Sequence, residues 1–360
     1  MKILFDVKHL YYLPQYIPVY QELLKRSIDC EFIFYHQDDE ALQQICTEIE
    51  AKEKLPVKWI SCWESAFEYY QNIKADWIIF GNAVGSIDQL HSVSKTALMQ
   101  HGIGPKSCYY DVSQNLTTVR FVEGQHRLKR LKDLYPKGNF VDTGYAKLDP
   151  IFSKNNNFAN QLSLENFGLD PNKKTILYAP TFYPSSLECF DKKFPKDFED
   201  YNIILKPHFF SVTKKKYIRQ NKLLHLWNQY DNVYLAPTSS YNLLPFMAIS
   251  DVMISDASSA IFEFAALNKP VIWCDFYKLR WTYRGIFSYR FKQRLDSDID
   301  FFHQLSEQVS SYQVLQSALD KVIKNPELKS EKRIELTEQL AGQTDGCCSF
   351  RIANYLLEHK

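Results

Sequence analysis

Residues 251–273 run from an apolar segment (Val252, Met253, Ile254) through a small polar turn (Ser255 to Ser259) into an apolar stretch from Ala260 to Leu267. An Asn268-Lys269-Pro270 stop and a second apolar run, Val271-Ile272-Trp273, complete the pattern. Strand, polar turn, helix, strand is a βαβ unit, and a crossover of this kind is what joins two parallel strands. The same alternation runs along most of the chain. Strands are expected at Lys2–Phe5, Glu31–Tyr35, Val57–Ser61, Trp77–Phe80, Thr96–Gln100, Thr118–Val122 and Phe140–Gly144. Helices are expected at Ile17–Arg26, with Pro18 tolerable in the first turn, at Asp38 to about Lys54, and at Gln125–Leu134. A second set of strands begins at Thr175–Thr181 and continues at Ile203–Leu205, Val233–Leu235 and Val252–Ile254, and the section from Phe301 onward is expected to be mostly helical. Such alternation implies parallel sheets covered on both faces.

At 360 residues there is length for two such domains. The polar run SKNNNFANQ marks the linker, between Phe152 and Asn172. The expected fold class is therefore α/β: two doubly wound Rossmann-like domains, at 1–155 and 170–340, facing across a cleft. Residues 341–360 are expected to form a helix packing back on the N-terminal domain. Ligands of doubly wound sheets bind outside the carboxyl ends of the strands, so polar turns that follow strands are the places to search.

Lys plus Arg (43) nearly balance Asp plus Glu (42), so net charge does not favour nucleic acid as a partner. No apolar run is long enough to span a bilayer, and MKILFDVKHL reads as a strand rather than a signal peptide. The eight cysteines are scattered without a C-x-x-C pair, and the histidines show no metal-ligand spacing. These features suggest a cytoplasmic protein with reduced thiols and no metal site.

The strand-end signals, in order, are HGIGPK (101–106), DTGYAKLDP (142–150), YAPTFY (178–183), LKPH (205–208), SDASSAIFE (255–263) and TDGCCSFRI (344–352). The Ser258-Ser259 corner offers hydroxyls and unpaired helix amides to a phosphate. Glu263, about one helical turn further on, is placed to accept from ribose hydroxyls. The plain alternative is a Ser N-cap that binds nothing. The basic helix HRLKRLK (126–132) reads as a solvated face or as a contact for an anionic surface, and FYKLRWTYRGIFSYRFKQR (276–294) as an acceptor channel, a headgroup-level segment or a self-packed loop.

Taken together, these signals resemble the CDP-glycerol glycerophosphotransferase family, the teichoic-acid-type polyol-phosphate transferases. That family carries an H-G-T-x-x-K turn, a G-x-P-R-N-D segment, an A-P-T strand end, a His-Pro strand end, a D-x-S-S turn and a late D-G motif. The match covers about residues 96 to 352. This chain has Ile103 after His-Gly, Gly144-Tyr145-Ala146-Lys147-Leu148-Asp149 for the second motif, Phe182 where Trp is usual, and Pro207 before His208.

The resemblance implies a glycosyltransferase-B fold with the nucleotide on the C-terminal domain. It implies transfer of glycerol phosphate, or a related polyol phosphate, from a CDP-activated donor such as CDP-glycerol to a hydroxyl of a glycan or lipid-linked acceptor, releasing CMP. His101 and His208 would be catalytic, the first as base on the acceptor and the second as a donor to phosphate. Thr181, Lys206, Asp256, Ser258, Ser259 and Glu263 would line the donor site. An anionic membrane surface is a further expected partner. The spacing also looks like the nucleotide turn of UDP-GlcNAc 2-epimerases, so an isomerase, a nucleotide-sugar glycosyltransferase and a non-catalytic binding module on the same scaffold stay open.

Overall fold

In the computed structural model of the protein, residues 1–82, 85–104, 106–153, 162–279 and 296–360 are described. Most of the polar run in the expected linker (154–161) and residues 280–294 of the basic-aromatic stretch lie outside them. The chain divides into two compact units: Met1–Ile103 with Cys108–Asn156 and Glu338–Lys360, and Gly104–Ser107 with Asn157–Thr337.

The first unit is built on seven strands: β1 (Lys2–Val7), β2 (Asp29–Tyr35), β3 (Val57–Ile60), β4 (Trp77–Phe80), β5 (Lys95–Met99), β6 (Val119–Val122) and β7 (Phe140–Asp142). They lie in the order β3-β2-β1-β4-β5-β6-β7, and every pairing is parallel. The second unit has six: β8 (Thr175–Tyr178), β9 (Asn202–Leu205), β10 (Val233–Leu235), β11 (Val252–Ser255), β12 (Val271–Cys274) and β13 (Glu307–Val309). Their order is β10-β9-β8-β11-β12-β13, again all parallel. Both sheets reverse direction beside their first strand, the doubly wound arrangement. Strands β4, β6, β8, β9, β11 and β12 are buried along their whole length, as continuous apolar runs require when helices cover both faces.

The section after Phe301 is mostly helical, as its sequence suggests, with one strand that was not expected. Helices form at Asp300–Leu305, Leu315–Lys324, Ser330–Ala341 and Cys348–Glu358, but β13 intervenes. It is a three-residue edge strand reading EQV, too short and polar to show alternation. The first helix spans Leu13–Leu24, starting earlier than expected, so Pro18 sits inside it and Pro14 occupies its first turn. The N–H that Pro18 lacks would have paired with the Pro14 carbonyl, so one helical bond is forgone. Within the first unit, Trp77 Nε1 donates to the Leu356 carbonyl at 3.0 Å and joins the central strand β4 to the last helix.

Candidate functional site

In the second unit β9, β8 and β11 are neighbours, about 4.8 Å apart, so their carboxyl ends form one edge. Asp256 follows β11 and is fully buried. Its Oδ1 accepts from the Thr181 N–H at 2.7 Å, and its Oδ2 from the Ser186 N–H at 2.9 Å, Ser186 Oγ at 3.0 Å and Ser185 Oγ at 3.3 Å. Burial pushes its pKa up while these bonds pull it down. Burial outweighs the bonds, so its pKa lies above the usual aspartate value, and each oxygen accepts from one main-chain N–H. Asp256 was expected to touch a ligand, but the structure places it underneath the site, binding the turn after β8 to β11. Thr181 belongs to the same scaffold, its Oγ1 donating to the Pro184 carbonyl at 2.7 Å.

Lys206 directly follows β9 and is half-buried as a residue. Among the described residues its ammonium has no hydrogen-bond or ion-pair partner, and burial lowers its pKa to about 8. A partly desolvated cation without a counter-charge carries a cost that an arriving anion would relieve. His208, two residues on, stacks on Phe209 at 4.8 Å and meets the Phe182 ring at a tilt of 55° with centroids 4.6 Å apart. Its Nδ1 accepts from the Phe210 N–H at 3.2 Å, which leaves the proton of the neutral ring on Nε2.

The helix after β11, Ala260–Ala265, is shorter than expected. Ser258 Oγ accepts from the Ala260 N–H at 3.2 Å, so Ser258 is the capping hydroxyl. The Ser259 hydroxyl has no hydrogen-bond partner among the described residues and is half-buried. Glu263, 1% exposed, sits on this helix, its N–H bonded to the Ser259 carbonyl at 3.2 Å. In the second unit Lys206 and His208 thus follow β9, Ser258 and Ser259 follow β11, and Glu263 lies in the helix beyond, with Asp256 and Thr181 holding the turn after β8.

In the first unit His101 follows β5 and sits among tyrosines. Its ring lies 4.5 Å from Tyr11, 5.3 Å from Tyr12 and 5.5 Å from Tyr109 between centroids. Gln100 Nε2 contacts its Nδ1 at 3.4 Å, and its carbonyl accepts from Tyr145 Oη at 2.8 Å. A side chain at Gly102 would collide with Tyr109, its Cβ 2.6 Å from the hydroxyl, so the H-G pair lets a ring close over the His101 backbone. His9 stacks on Tyr11 at 4.9 Å, and burial lowers its pKa to about 4, so it is neutral at pH 7. These aromatic neighbours were not singled out from sequence. The available signal was the pair Tyr11-Tyr12 shortly after β1, whose carboxyl end lies near that of β5 in the sheet order.

Two motifs meet away from these sites. Asp149 accepts from the N–H groups of Cys348 at 3.0 Å and Ser349 at 2.6 Å and from Ser349 Oγ at 2.6 Å, capping the helix Cys348–Glu358. Arg351 Nε donates to the Thr143 carbonyl at 2.9 Å and its guanidinium pairs with Asp345. Gly144 has φ +80°, and its missing Cβ leaves room for Cys348 Sγ. In this structure DTGYAKLDP and TDGCCSFRI make one anchor between the end of β7 and the last helix.

The basic helix (Gly124–Leu134) is only in part a solvated face. Lys129 and Lys132 are exposed, but Arg127 is 4% exposed, is paired with Glu123, and lies over the Tyr110 ring at 4.6 Å. Arg120, 1% exposed, donates to Ser113 Oγ at 2.6 Å, and burial lowers its pKa to about 10. Among the described residues no helix is long and apolar enough to cross a membrane, and no group of three His, Cys, Asp or Glu is placed to hold a metal.

Comparison with known proteins follows the same lines. The family described as CDP-Glycerol:Poly(glycerophosphate) glycerophosphotransferase matches residues 105–358. A teichoic acid glycerol-phosphate primase of Bacillus subtilis (strain 168) is 28% identical over 178 residues, 44% of this chain and 45% of that protein. A teichoic acid poly(glycerol phosphate) polymerase of Bacillus spizizenii is 29% identical over 139 residues, 38% of this chain and 35% of that protein. The matched segments span less than half the length of these curated relatives. A solved structure of the wall teichoic acid polymerase TagF shares 18% identity at a TM-score of 0.65, covering 99% of this chain and 88% of that one. UDP-GlcNAc 2-epimerase from Neisseria meningitidis, bound to UDP-GlcNAc, shares 15% at 0.64, covering 99% and 100%. At such identities the likeness is one of fold, the glycosyltransferase-B architecture of two Rossmann-like units.

Proposed function

This chain belongs to the CDP-glycerol:poly(glycerophosphate) glycerophosphotransferase family, and from that premise we propose that it moves glycerol phosphate, or a close polyol phosphate, from a CDP-activated donor to an acceptor hydroxyl. The acceptor oxygen forms a bond to the phosphorus nearest the polyol. The bond from that phosphorus to the bridging oxygen breaks, and its electron pair leaves with CMP. The acceptor proton passes to a base, for which His101 is the candidate in the first unit. Phosphoryl transfer of this type asks the protein for positioning and charge compensation more than for covalent chemistry.

The observation that carries this reading is Lys206. Its ammonium is unpartnered among the described residues and stands two residues from His208, so the β9 end presents a cation and a ring N–H together. A diphosphate supplies the missing counter-charge. His208 Nε2–H would donate to a phosphate oxygen, and Ser259 with the neighbouring amides would add neutral donors. Glu263 would accept from the ribose.

A thermal-shift panel of CDP-glycerol, CDP-ribitol, CMP, CDP, UDP and UDP-sugars tests the donor. A ligand at 100 times its dissociation constant stabilises by about 2.7 kcal/mol. Stabilisation by uridine compounds and none by cytidine compounds would overturn the proposal. Product analysis then separates glycerophosphate transfer, which releases CMP, from glycosyl transfer, which releases a nucleoside diphosphate, and from epimerisation. A glycan or lipid-linked acceptor and a cytoplasmic site beside an anionic membrane surface belong to the same proposal. Failure to sediment with anionic liposomes at low salt would remove the membrane part.

A further inference from the structure

We propose that Asp256 and Phe182 are positioning residues for His208, acting through the turn that follows β8. The inference rests on the role given to His208 above.

Asp256 uses both oxygens on one short segment, taking the N–H of Thr181 at its first end and the N–H and hydroxyl of Ser186 at its second. Ser185 Oγ adds a further bond to Oδ2 at 3.3 Å and itself accepts from the Leu187 N–H at 3.2 Å. Tyr178 at the end of β8 meets Ser186 Oγ at 3.0 Å. The segment is therefore pinned to β11 at both ends, and Phe182 is carried between the pins. The Phe182 carbonyl accepts from Gln220 Nε2 at 3.1 Å, which fixes the same loop from its other side.

The Phe182 ring faces three rings of the β9 end and the chain beyond it: His208 at 4.6 Å, Phe210 at 5.1 Å and Tyr217 at 5.8 Å. Phe210 is also the residue whose N–H bonds His208 Nδ1. The His208 N–H in turn donates to the Pro180 carbonyl at 3.2 Å, so the imidazole is located by this turn through its backbone as well as through its face. Holding the ring in this orientation keeps Nδ1 on the Phe210 amide and the proton on Nε2. A hydrogen-bond donor to a developing charge must be in place before the reaction to be useful, and a misplacement of about 1 Å can cost about 100-fold. Both oxygens of Asp256 are needed as acceptors in this arrangement. An asparagine has one acceptor oxygen for two main-chain N–H groups, so in either orientation its NH2 faces a donor.

The test compares Asp256→Asn, Phe182→Ala and Phe182→Trp in the full chain. Selective ¹⁵N labelling of histidine, with His208→Gln to assign the signal, reads which ring nitrogen carries the proton. Single-turnover transfer from CDP-glycerol and donor calorimetry are measured beside it. Asp256→Asn and Phe182→Ala should move His208 from the Nε2–H form to a mixture and slow transfer by about 10- to 100-fold. Phe182→Trp, which retains an aromatic ring against the imidazole, should restore most of the tautomer and the rate. Should Asp256→Asn fail to fold, Phe182→Ala decides alone. An unchanged His208 signal in Phe182→Ala overturns the inference. A shifted signal with full transfer rate upholds the positioning and removes His208 from the reaction, so the two readings fail separately.

Discussion

Lys206, in the role proposed for it, should make donor binding a proton-linked event. Its ammonium has no hydrogen-bond or ion-pair partner among the described residues, and partial burial lowers its pKa to about 8. A bound diphosphate restores the charged form, so binding should take up protons near that pH. Roughly nine-tenths of Lys206 is protonated at pH 7 in the free protein and about one-tenth at pH 9. Affinity for CDP-glycerol should therefore fall about eight- to tenfold over those two pH units, ~1.3 kcal/mol. At pH 8 binding should take up about half a proton. Calorimetry in buffers of different ionisation enthalpy reads that uptake directly.

The sign for stability of the free protein is opposite. The folded pKa lies below the unfolded value of 10.5, so between about pH 8 and 10.5 the unfolded chain holds a proton that the folded one has released. Stability from this group rises with pH through that window, and the burial cost is fully present below it. Lys206→Met should thus raise the melting temperature of the free protein at pH 7, with a gain on the order of 1–3 kcal/mol. It should also weaken donor binding by about 10- to 100-fold and abolish the proton uptake. A variant less stable than the parent, or a parent whose donor affinity is flat from pH 7 to 9, would refute the assignment of Lys206 as an unpaired phosphate-binding cation.

Other expectations follow from the same geometry. Ser258→Ala with Ser259→Ala should weaken CDP-glycerol binding and leave the fold intact, with loss of the Ala260 cap costing about 1 kcal/mol of stability; unchanged donor affinity in calorimetry would remove the pair from the site. Glu263→Gln should lose preference for CMP over its 2′,3′-dideoxy analogue, and a wild-type preference would make Glu263 a structural carboxylate. His101→Ala should cut single-turnover transfer by about 100- to 10,000-fold with donor affinity nearly unchanged; retention of more than about a tenth of the rate, far above that range, would make His101 structural. Asp149→Asn should destabilise the first unit by about 1–2 kcal/mol in chemical denaturation, because a helix-capping carboxylate with three bonds is lost, and a change under about 0.3 kcal/mol would contradict that role.

Much of the architecture was legible in the residues because buried parallel strands must be continuously apolar and the turns after them must be polar. The runs at Trp77–Phe80, Val233–Leu235 and Val252–Ser255 appear as strands at or within a residue of their sequence limits. Strand β13 escaped because three edge residues, of which only Val309 is buried, have neither the length nor the apolarity to register. The helix Leu13–Leu24 starts early because a proline can be accommodated inside a buried helix when packing compensates for one missing bond.

The sequence by itself determined which polar residues follow the strands: His101, Lys206, His208, the Ser258-Ser259 pair and Glu263 all stand just after or one helical turn beyond an apolar run. It could not say which of the polar groups near them are consumed by the fold. Asp256 and Thr181 look in sequence like ligand contacts, and only the tertiary structure turns the carboxylate inward onto the 181–186 turn. Arg127 looks like a solvated charge until the fold lays it against Tyr110 and Glu123. Two motifs separated by nearly the whole second unit become one anchor because Asp149 reaches the amides of Cys348 and Ser349. The physical reason is common to all three. Local pattern encodes burial and backbone conformation within a few residues, whereas hydrogen-bond partners and counter-charges are assigned by elements that are distant in sequence and adjacent only once the chain has folded.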